Sequence, residues 1–168
     1  MKRLLVTILL SLAVGVLAFA GNSTSYIYVS GYNVPGISVE ASSLNFGTFH
    51  IGQSSYSQTA TITVNAPNTW NYHIALNAGF FYDGTYRNIA SESNNSYKVP
   101  YWLYKPSFDA WGDSDYANTF SGGSSLAGTG SGADQVYTLT GWLFIPSYGP
   151  GYPVNDTYYD FVTVTVYY

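Results

Sequence analysis

The chain has 168 residues, a formal net charge of −4 and no cysteine, and 18% of its residues are aromatic while only 8% are charged. The five basic residues form no patch, which excludes a nucleic-acid partner because phosphate binding needs clustered positive charge. Without disulfides, stability has to come from an apolar core or from neighbouring molecules. The dominance of Tyr, Thr, Val, Ser, Gly and Asn favours strands and turns.

The first element is an export signal. Lys2 and Arg3 precede an apolar run over residues 4–17, and Ala18-Phe19-Ala20 forms an A-x-A cleavage motif. The run is shorter than the ~20 residues of a membrane span. We predict that residues 1–20 are a cleaved signal peptide, with an uncleaved anchor as the alternative. The mature chain of 148 residues then has three basic and nine acidic residues, a net charge of −6, and the size of one domain.

The mature chain opens on a segment with strand periodicity. Residues 25–34 alternate before Pro35-Gly36 separates them from the rest of the chain. The period of two places Ile27, Val29 and Gly31 on one face, opposite a face rich in tyrosine. A terminal strand on a hinge can pair with its own sheet or with the sheet of a neighbour, and the residues alone leave both pairings open.

The rest of the chain is predicted to be all-β. Gly141 marks a bulge within one strand, and residues 122–132 form a long Gly/Ser-rich hairpin connection. The last strand directs Val162, Val164 and Val166 inward. Seven strands and no helix predict a β-sandwich of immunoglobulin-like size. The predicted strands are residues 37–41, 44–49, 59–65, 70–77, 99–105, 135–145 and 158–168.

Five sequence blocks, in order, resemble the spore coat protein U domain family, which includes subunits of archaic chaperone–usher pili. The blocks are residues 39–47, 74–79 followed by Tyr86-Arg87, 101–104 with Trp111-Gly112, 136–141 and 160–168. The resemblance implies an incomplete immunoglobulin-like β-sandwich that lacks its last strand. In that family a chaperone fills the resulting groove, and the N-terminal extension of the next subunit then replaces it by donor-strand exchange.

The resemblance also implies roles for particular segments. It divides the chain into a signal peptide (1–20), a donor strand with its hinge (21–36) and a pilin domain (37–168). The donor-strand residues would be Tyr26, Ile27, Tyr28, Val29, Gly31 and Asn33. The terminal strand, held by the chaperone and bounding the groove, would contribute Val162, Val164, Val166, Tyr167 and Tyr168. Structural roles would fall to Phe46, Gly47, Trp111, Gly112 and Arg87, the last as an ion pair or a clamp on carbonyls.

One feature departs from the family pattern. A family disulfide would join a cysteine near Ile37 to one near residues 64–66, and this chain has no cysteine at either place. Apolar packing would have to replace a bridge worth about 2–4 kcal/mol. The departure indicates a source without periplasmic oxidation or a hot habitat.

The expected function is therefore a structural subunit of a surface pilus, or fimbria, exported through the periplasm to an extracellular filament. Its partners would be identical subunits, a periplasmic chaperone, an outer-membrane usher and a host or abiotic surface. Room for one domain favours a shaft subunit over a tip subunit, which usually has a second domain. The alternatives are a secreted sugar-binding β-sandwich that stacks rings on Trp102, Trp111 and Trp142, and a coat or sheath protein that assembles laterally.

The sequence predicts no enzyme, cofactor or metal site. His50 and His73 lack the spacing of a paired metal site. Asp113 and Asp115 alternate like calcium ligands, but the Gly and Glu of a calcium loop do not follow them, so they are interpreted as a structural loop.

Overall fold

The computed structural model describes residues 36–49, 55–145 and 156–168, together with the backbone of residues 22–28. These ranges are all-β and contain no helix, and so none that could cross a membrane. The predicted signal peptide and His50 lie outside them. The strands are β1 (Asn22–Tyr28), β2 (Ser38–Ala41), β3 (Leu44–Thr48), β4 (Ser55–Asn65), β5 (Asn71–Leu76), β6 (Arg87–Ser91), β7 (Lys98–Tyr104), β8 (Leu126–Thr129), β9 (Asp134–Phe144), β10 (Tyr158–Tyr159) and β11 (Phe161–Tyr167).

The strands form an immunoglobulin-like β-sandwich. The hydrogen-bonded order is continuous, β2-β4-β9-β7-β6-β10-β1-β11-β5-β8, with β3 paired to β1. The larger sheet of the sandwich is β2-β4-β9-β7-β6-β10 and the smaller is β11-β5-β8. β1 links them, because it pairs in parallel with β10 at Ser23 and with β11 from Tyr26 to Tyr28. The longest ladder joins β4 to β9 without a register shift, from Ser55 opposite Phe144 to Asn65 opposite Asp134. Alternate residues of β7 are buried, as expected of a strand with one face on a core. The two inner faces enclose a core that includes Leu44, Ile62, Val64, Ile74, Leu76, Leu103, Leu139 and Val164.

All seven predicted strand regions are present, but two further strands lie where irregular structure was predicted. All five residues of β6 are buried, so this strand shows no alternation that the sequence could reveal. β8 is a short strand within the Gly/Ser-rich segment and pairs with β5. The bulge predicted at Gly141 is wrong, because the residue pairs in continuous register with both Gln58 and Leu103.

The last predicted strand is interrupted at Asp160. Before this residue β10 pairs with β6, and after it β11 pairs with β5 in the other sheet. The buried carboxylate of Asp160 accepts hydrogen bonds from the main-chain N–H groups of Phe80 and Phe161, each at 2.8 Å, and from the hydroxyl of Tyr101. Burial raises the pKa of the Asp160 carboxyl, while these hydrogen bonds act in the opposite direction. Asp160 thus fixes the point where the chain crosses between sheets.

The N-terminal strand pairs within its own chain. β1 runs antiparallel to β3, with Ser25 opposite Leu44, and parallel to β11, with Ile27 opposite Val162. Of the two pairings that the sequence left open, the structure of the single chain therefore contains the intramolecular one. The strand begins at Asn22, three residues before the predicted segment, and Val29, Gly31 and Asn33 lie outside the described residues.

Candidate strand-acceptor groove

The gap between β3 and β11, which we call the acceptor groove, is filled by β1. Among the described strands, β3 pairs only with β1, whereas β11 has β5 on its other side. Leu44 and Phe46 of β3, and Val162 and Val164 of β11, are buried. Without β1, the described part of the body from residue 36 onward would therefore have an opening one strand wide, bordered by the apolar residues of β3 on one side and of β11 on the other.

A glycine in β9 allows β3 to lie close to the body. A Cβ atom at Gly141 would overlap Cδ2 of Leu44 and would lie 2.9 Å from Cζ of Phe46. Gly47, two residues after Asn45, adopts φ 69°, and its N–H donates to Oδ1 of Asn45 at 2.8 Å. The left-handed conformation favours glycine at this point. The close approach of Leu44 and Phe46 in β3, rather than a bulge in β9, explains why position 141 is a glycine.

The inward valines of β11 lie as the alternation predicts. Val162 and Val164 are buried, and Val166 packs partly buried against the core. The two terminal tyrosines lie against aromatic neighbours: Tyr167 stacks on Tyr116 with 4.2 Å between centroids, and Tyr168 stacks on Trp70 at 6.3 Å. The role of these residues in holding a chaperone or a donor strand stays a prediction.

Arg87 is a clamp on main-chain carbonyls, one of the two roles predicted for it. Its guanidinium is fully buried and donates to the carbonyl oxygens of Leu76 (2.8 Å), Asn77 (2.7 and 2.9 Å) and Trp111 (2.7 Å). It also lies 3.9 Å from the centroid of the Phe120 ring. Burial lowers the pKa of Arg87 to about 10, so the group stays charged at neutral pH. Arg87 ties the end of β5 to the loop that contains Trp111.

The Trp111-Gly112 pair closes the core over β5. Trp111 is fully buried, and its indole N–H donates to the carbonyl oxygen of Ile74 at 2.8 Å. The N–H of Leu76 donates to the carbonyl oxygen of Gly112 at 3.1 Å. A Cβ atom at Gly112 would overlap the carbonyl oxygen of Gly123, so only glycine fits. Both residues have structural positions.

The Asp113–Asp115 loop uses its carboxylates to hold itself together. Asp113 accepts from the N–H of Phe120 and the hydroxyl of Thr119, each at 2.7 Å, and Asp115 accepts from the N–H and hydroxyl of Ser125. His73, half-buried, contacts the same serine at 3.1 Å. In the described ranges no three His, Asp or Glu residues are grouped as metal ligands would be.

The alternative prediction that Trp102, Trp111 and Trp142 form a sugar-binding platform is wrong for one of the three residues. Trp111 is fully buried and cannot present its ring to a ligand. Trp102 and Trp142 face each other across β7 and β9, with Phe144 against both rings at 4.9 and 6.0 Å. The remaining surface is an apolar cluster on the outer face of the larger sheet.

The comparisons decide the family. The sequence profile of the Spore Coat Protein U domain matches residues 24–165. The chain belongs to the Spore Coat Protein U domain family. No curated protein matches it. Among solved structures, the CsuC–CsuE chaperone–tip adhesion subunit pre-assembly complex from the archaic chaperone–usher Csu pili of Acinetobacter baumannii is similar over 79% of this chain, at 18% identity and a TM-score of 0.49. The match spans 40% of the Acinetobacter chain, well under two thirds of its length.

The Spore Coat Protein U domain match extends from within β1 to within β11. It therefore includes both the strand that fills the acceptor groove and the strand on one side of it. Sequence reasoning missed Leu44, Gly141 and Asp160 as residues that shape this groove. Leu44 alternates with Phe46 and could have been found by that signal, whereas Gly141 and Asp160 act through neighbours that are remote in sequence.

Proposed function

We propose that this protein is the structural subunit of a surface pilus, which polymerises when the N-terminal segment of one copy occupies the acceptor groove of another. One observation carries the proposal. The strand that completes the sandwich, β1, belongs to the N-terminal segment that precedes the body in sequence, and no other described strand lies between β3 and β11. An identical segment from a second copy can occupy the same groove, and the exchange of an identical element between copies is a low-cost route to assembly.

The direction of insertion bears on linear growth. The segment of each copy leaves its body at Gly36, whose Cα hydrogens face Pro67 and Trp70 near the end of β11. An incoming segment parallel to β11, like the intramolecular β1, would bring the neighbouring body to this same end. An antiparallel segment would bring it to the opposite end, so that successive copies follow one another in a line. Such a segment would be antiparallel to β11 but parallel to β3, the reverse of the intramolecular β1, so the type of strand pairing favours neither arrangement.

The same groove accounts for the expected partners. A copy whose segment has left the groove exposes an apolar cleft and two unpaired strand edges, which promote aggregation. A periplasmic chaperone that lends a strand would protect this surface until an outer-membrane usher passes the subunit to the filament. The predicted signal peptide supplies export, and the product is a non-enzymatic extracellular fibre.

A chain-terminator experiment tests the proposal. A copy that lacks residues 21–34 can accept a strand but cannot donate one. When it is mixed with the intact mature chain, we expect the mean filament length in electron micrographs to fall in inverse proportion to its mole fraction. A terminator with Val164→Arg in addition has a blocked groove and should shorten filaments no more than buffer. Filament length that does not respond to the terminator, or intact chains that stay monomeric at all concentrations, would contradict donor-strand polymerisation.

A further inference from the structure

Three asparagines in the chain begin the sequence Asn-x-Ser/Thr, which is the acceptor motif for N-glycosylation, and the proposed function uses none of them. They are Asn22, Asn94 and Asn155. In a chain this rich in Asn, Ser and Thr the motif also arises by chance, so its surroundings decide which copy a glycosylating enzyme can reach. Asn155 lies outside the described residues.

Asn22 is a poor acceptor because it belongs to the strand that fills the acceptor groove. It begins β1, and its main chain pairs with Thr48 of β3. A bulky sugar on this segment would hinder its insertion beside β3, whether the groove belongs to the same copy or to another one. Of the two motifs whose asparagine is described, only the one at Asn94 is therefore free of this conflict.

Asn94 lies in an exposed turn at the tip of the hairpin that joins β6 to β7. Residues 92–96 are all exposed. The carbonyl oxygen of Asn94 accepts a hydrogen bond from the N–H of Tyr97 at 2.9 Å, and its side-chain oxygen accepts one from the N–H of Ser96 at 3.0 Å. The described hydrogen bonds thus engage both oxygens of Asn94 and leave its side-chain nitrogen, the atom that would carry a sugar, without a partner.

Contacts with the segment before β10 hold this turn in place. The carboxylate of Asp156 accepts hydrogen bonds from the N–H and the hydroxyl of Ser93 at 2.9 and 2.6 Å. The N–H of Glu92 donates to the carbonyl oxygen of Thr157 at 2.8 Å. None of these contacts uses the side-chain nitrogen of Asn94. The folded chain therefore presents the motif ready formed, and a sugar on that nitrogen disrupts no described contact.

We propose that Asn94 is a glycosylation site, modified after export by a transferase that uses an oligosaccharide carried on a polyprenyl diphosphate. The side-chain nitrogen of Asn94 forms a bond to the anomeric carbon of the oligosaccharide, and the bond between that carbon and the phosphate oxygen breaks. The polyprenyl diphosphate leaves with the electron pair, and a base of the transferase takes one proton from the nitrogen. The exposed carboxylate of Glu92, two residues earlier, can pair with a basic group of the transferase.

A sugar at this turn would give a hydrated surface to a chain that has few charges. Only 8% of the residues are charged while 18% are aromatic, so little charge keeps neighbouring copies apart. A glycan is bulky and solubilising. Neither β6 nor β7 borders the acceptor groove, so a glycan on their hairpin leaves strand insertion unhindered. The inference goes beyond the proposed function, because it requires export but not strand exchange.

Tryptic peptides of the protein test the assignment directly. Trypsin cleaves after Arg87 and Lys98, so residues 88–98 form a peptide that contains Asn94, while Asn22 and Asn155 fall in other peptides. The mature chain purified from the cell envelope of its native host should yield this peptide with the added mass of an oligosaccharide. Electron-transfer fragmentation should place the sugar on Asn94. A peptide found only in unmodified form, or with its sugar on a serine, would overturn the proposal.

Single substitutions made in the same host supply a matched control. Asn94→Gln and Ser96→Ala each destroy the motif and should abolish the added mass. Asn95→Gln changes the exposed residue between them, keeps the motif and should retain the added mass. A sugar that persists in Asn94→Gln, or an equal loss in all three variants, would contradict the assignment. Filaments of unmodified chains would overturn glycosylation and leave strand exchange intact, whereas glycosylated chains that form no filaments would contradict only the proposed function.

Discussion

The carboxylate of Asp156 stabilises the segment that leads into β10 and β11. It accepts hydrogen bonds from the hydroxyl of Ser91 and from the N–H and hydroxyl of Ser93, at 2.9 and 2.6 Å for the latter two. Partial burial opposes its ionisation, but these hydrogen bonds prevail and lower the pKa of Asp156 from 3.8 to about 2. The ionised form is thus favoured in the folded chain relative to the unfolded chain.

The sign of this shift gives a pH prediction. The stabilisation from Asp156 is fully present above the ordinary pKa of 3.8 and is lost as the pH falls towards 2. We expect the difference in urea midpoint between the intact mature chain and Asp156→Asn to shrink over this interval. Asp109→Asn serves as the control, because the exposed carboxylate of Asp109 accepts a hydrogen bond only from the hydroxyl of Ser107, two residues earlier, among the described side-chain contacts. An Asp156→Asn difference that is constant from pH 5 to pH 2 would show that the carboxylate makes no such contribution.

At the scale of elements, β3 depends on a close fit against β9. It pairs with β1 and lies against β4, and it also packs Leu44 and Phe46 over Gly141 of β9. A methyl group at Gly141 would overlap Leu44, and overpacking of this kind costs about 1–3 kcal/mol. We expect Gly141→Ala to lower the free energy of unfolding by that amount, as measured by urea denaturation.

Two controls make the Gly141 result specific. Thr140→Ala, at the half-buried neighbouring position, should have a smaller effect. Leu44→Ala removes the atoms that the new methyl group meets, so Gly141→Ala should cost less in a Leu44→Ala background than alone. Additive losses in the double variant would mean that β3 is not held through this contact.

The elements also show how far the sequence predicts the structure. Strands with one buried face, such as β7 and β9, follow from alternation. β6 does not follow from alternation, because both of its faces are buried: Asn88 and Ala90 lie on one face, and Arg87 and Ile89 lie on the other. The break at Asp160 depends on the N–H of Phe80, 80 residues away, which no local pattern reveals. The sequence could not decide whether β1 pairs with its own sheet or with the sheet of a neighbouring copy, because its alternation suits both.

At the scale of the molecule, the sandwich is stabilised without a disulfide. Ser38 at the start of β2 pairs with Asn65 at the end of β4. Because the two strands are antiparallel, the next residues along, Ile37 and Ala66, also lie opposite each other. Ala66 is buried, and Ile37 packs partly buried against the core. The positions where the family pattern would place cysteines are therefore neighbours across two strands, and apolar packing occupies the place of the bridge.

This arrangement predicts that a bridge can be added. Ile37→Cys/Ala66→Cys should oxidise readily, because cross-strand neighbours fall within the geometry of a disulfide. Closing a loop of about 30 residues restricts the unfolded chain and should raise stability by about 3–4 kcal/mol, roughly 10 °C in Tm. Calorimetry of the oxidised and reduced forms of the same variant measures this difference with no other change in sequence. Equal Tm values for the two forms would show that β2 and β4 already constrain each other as fully as a covalent bond does.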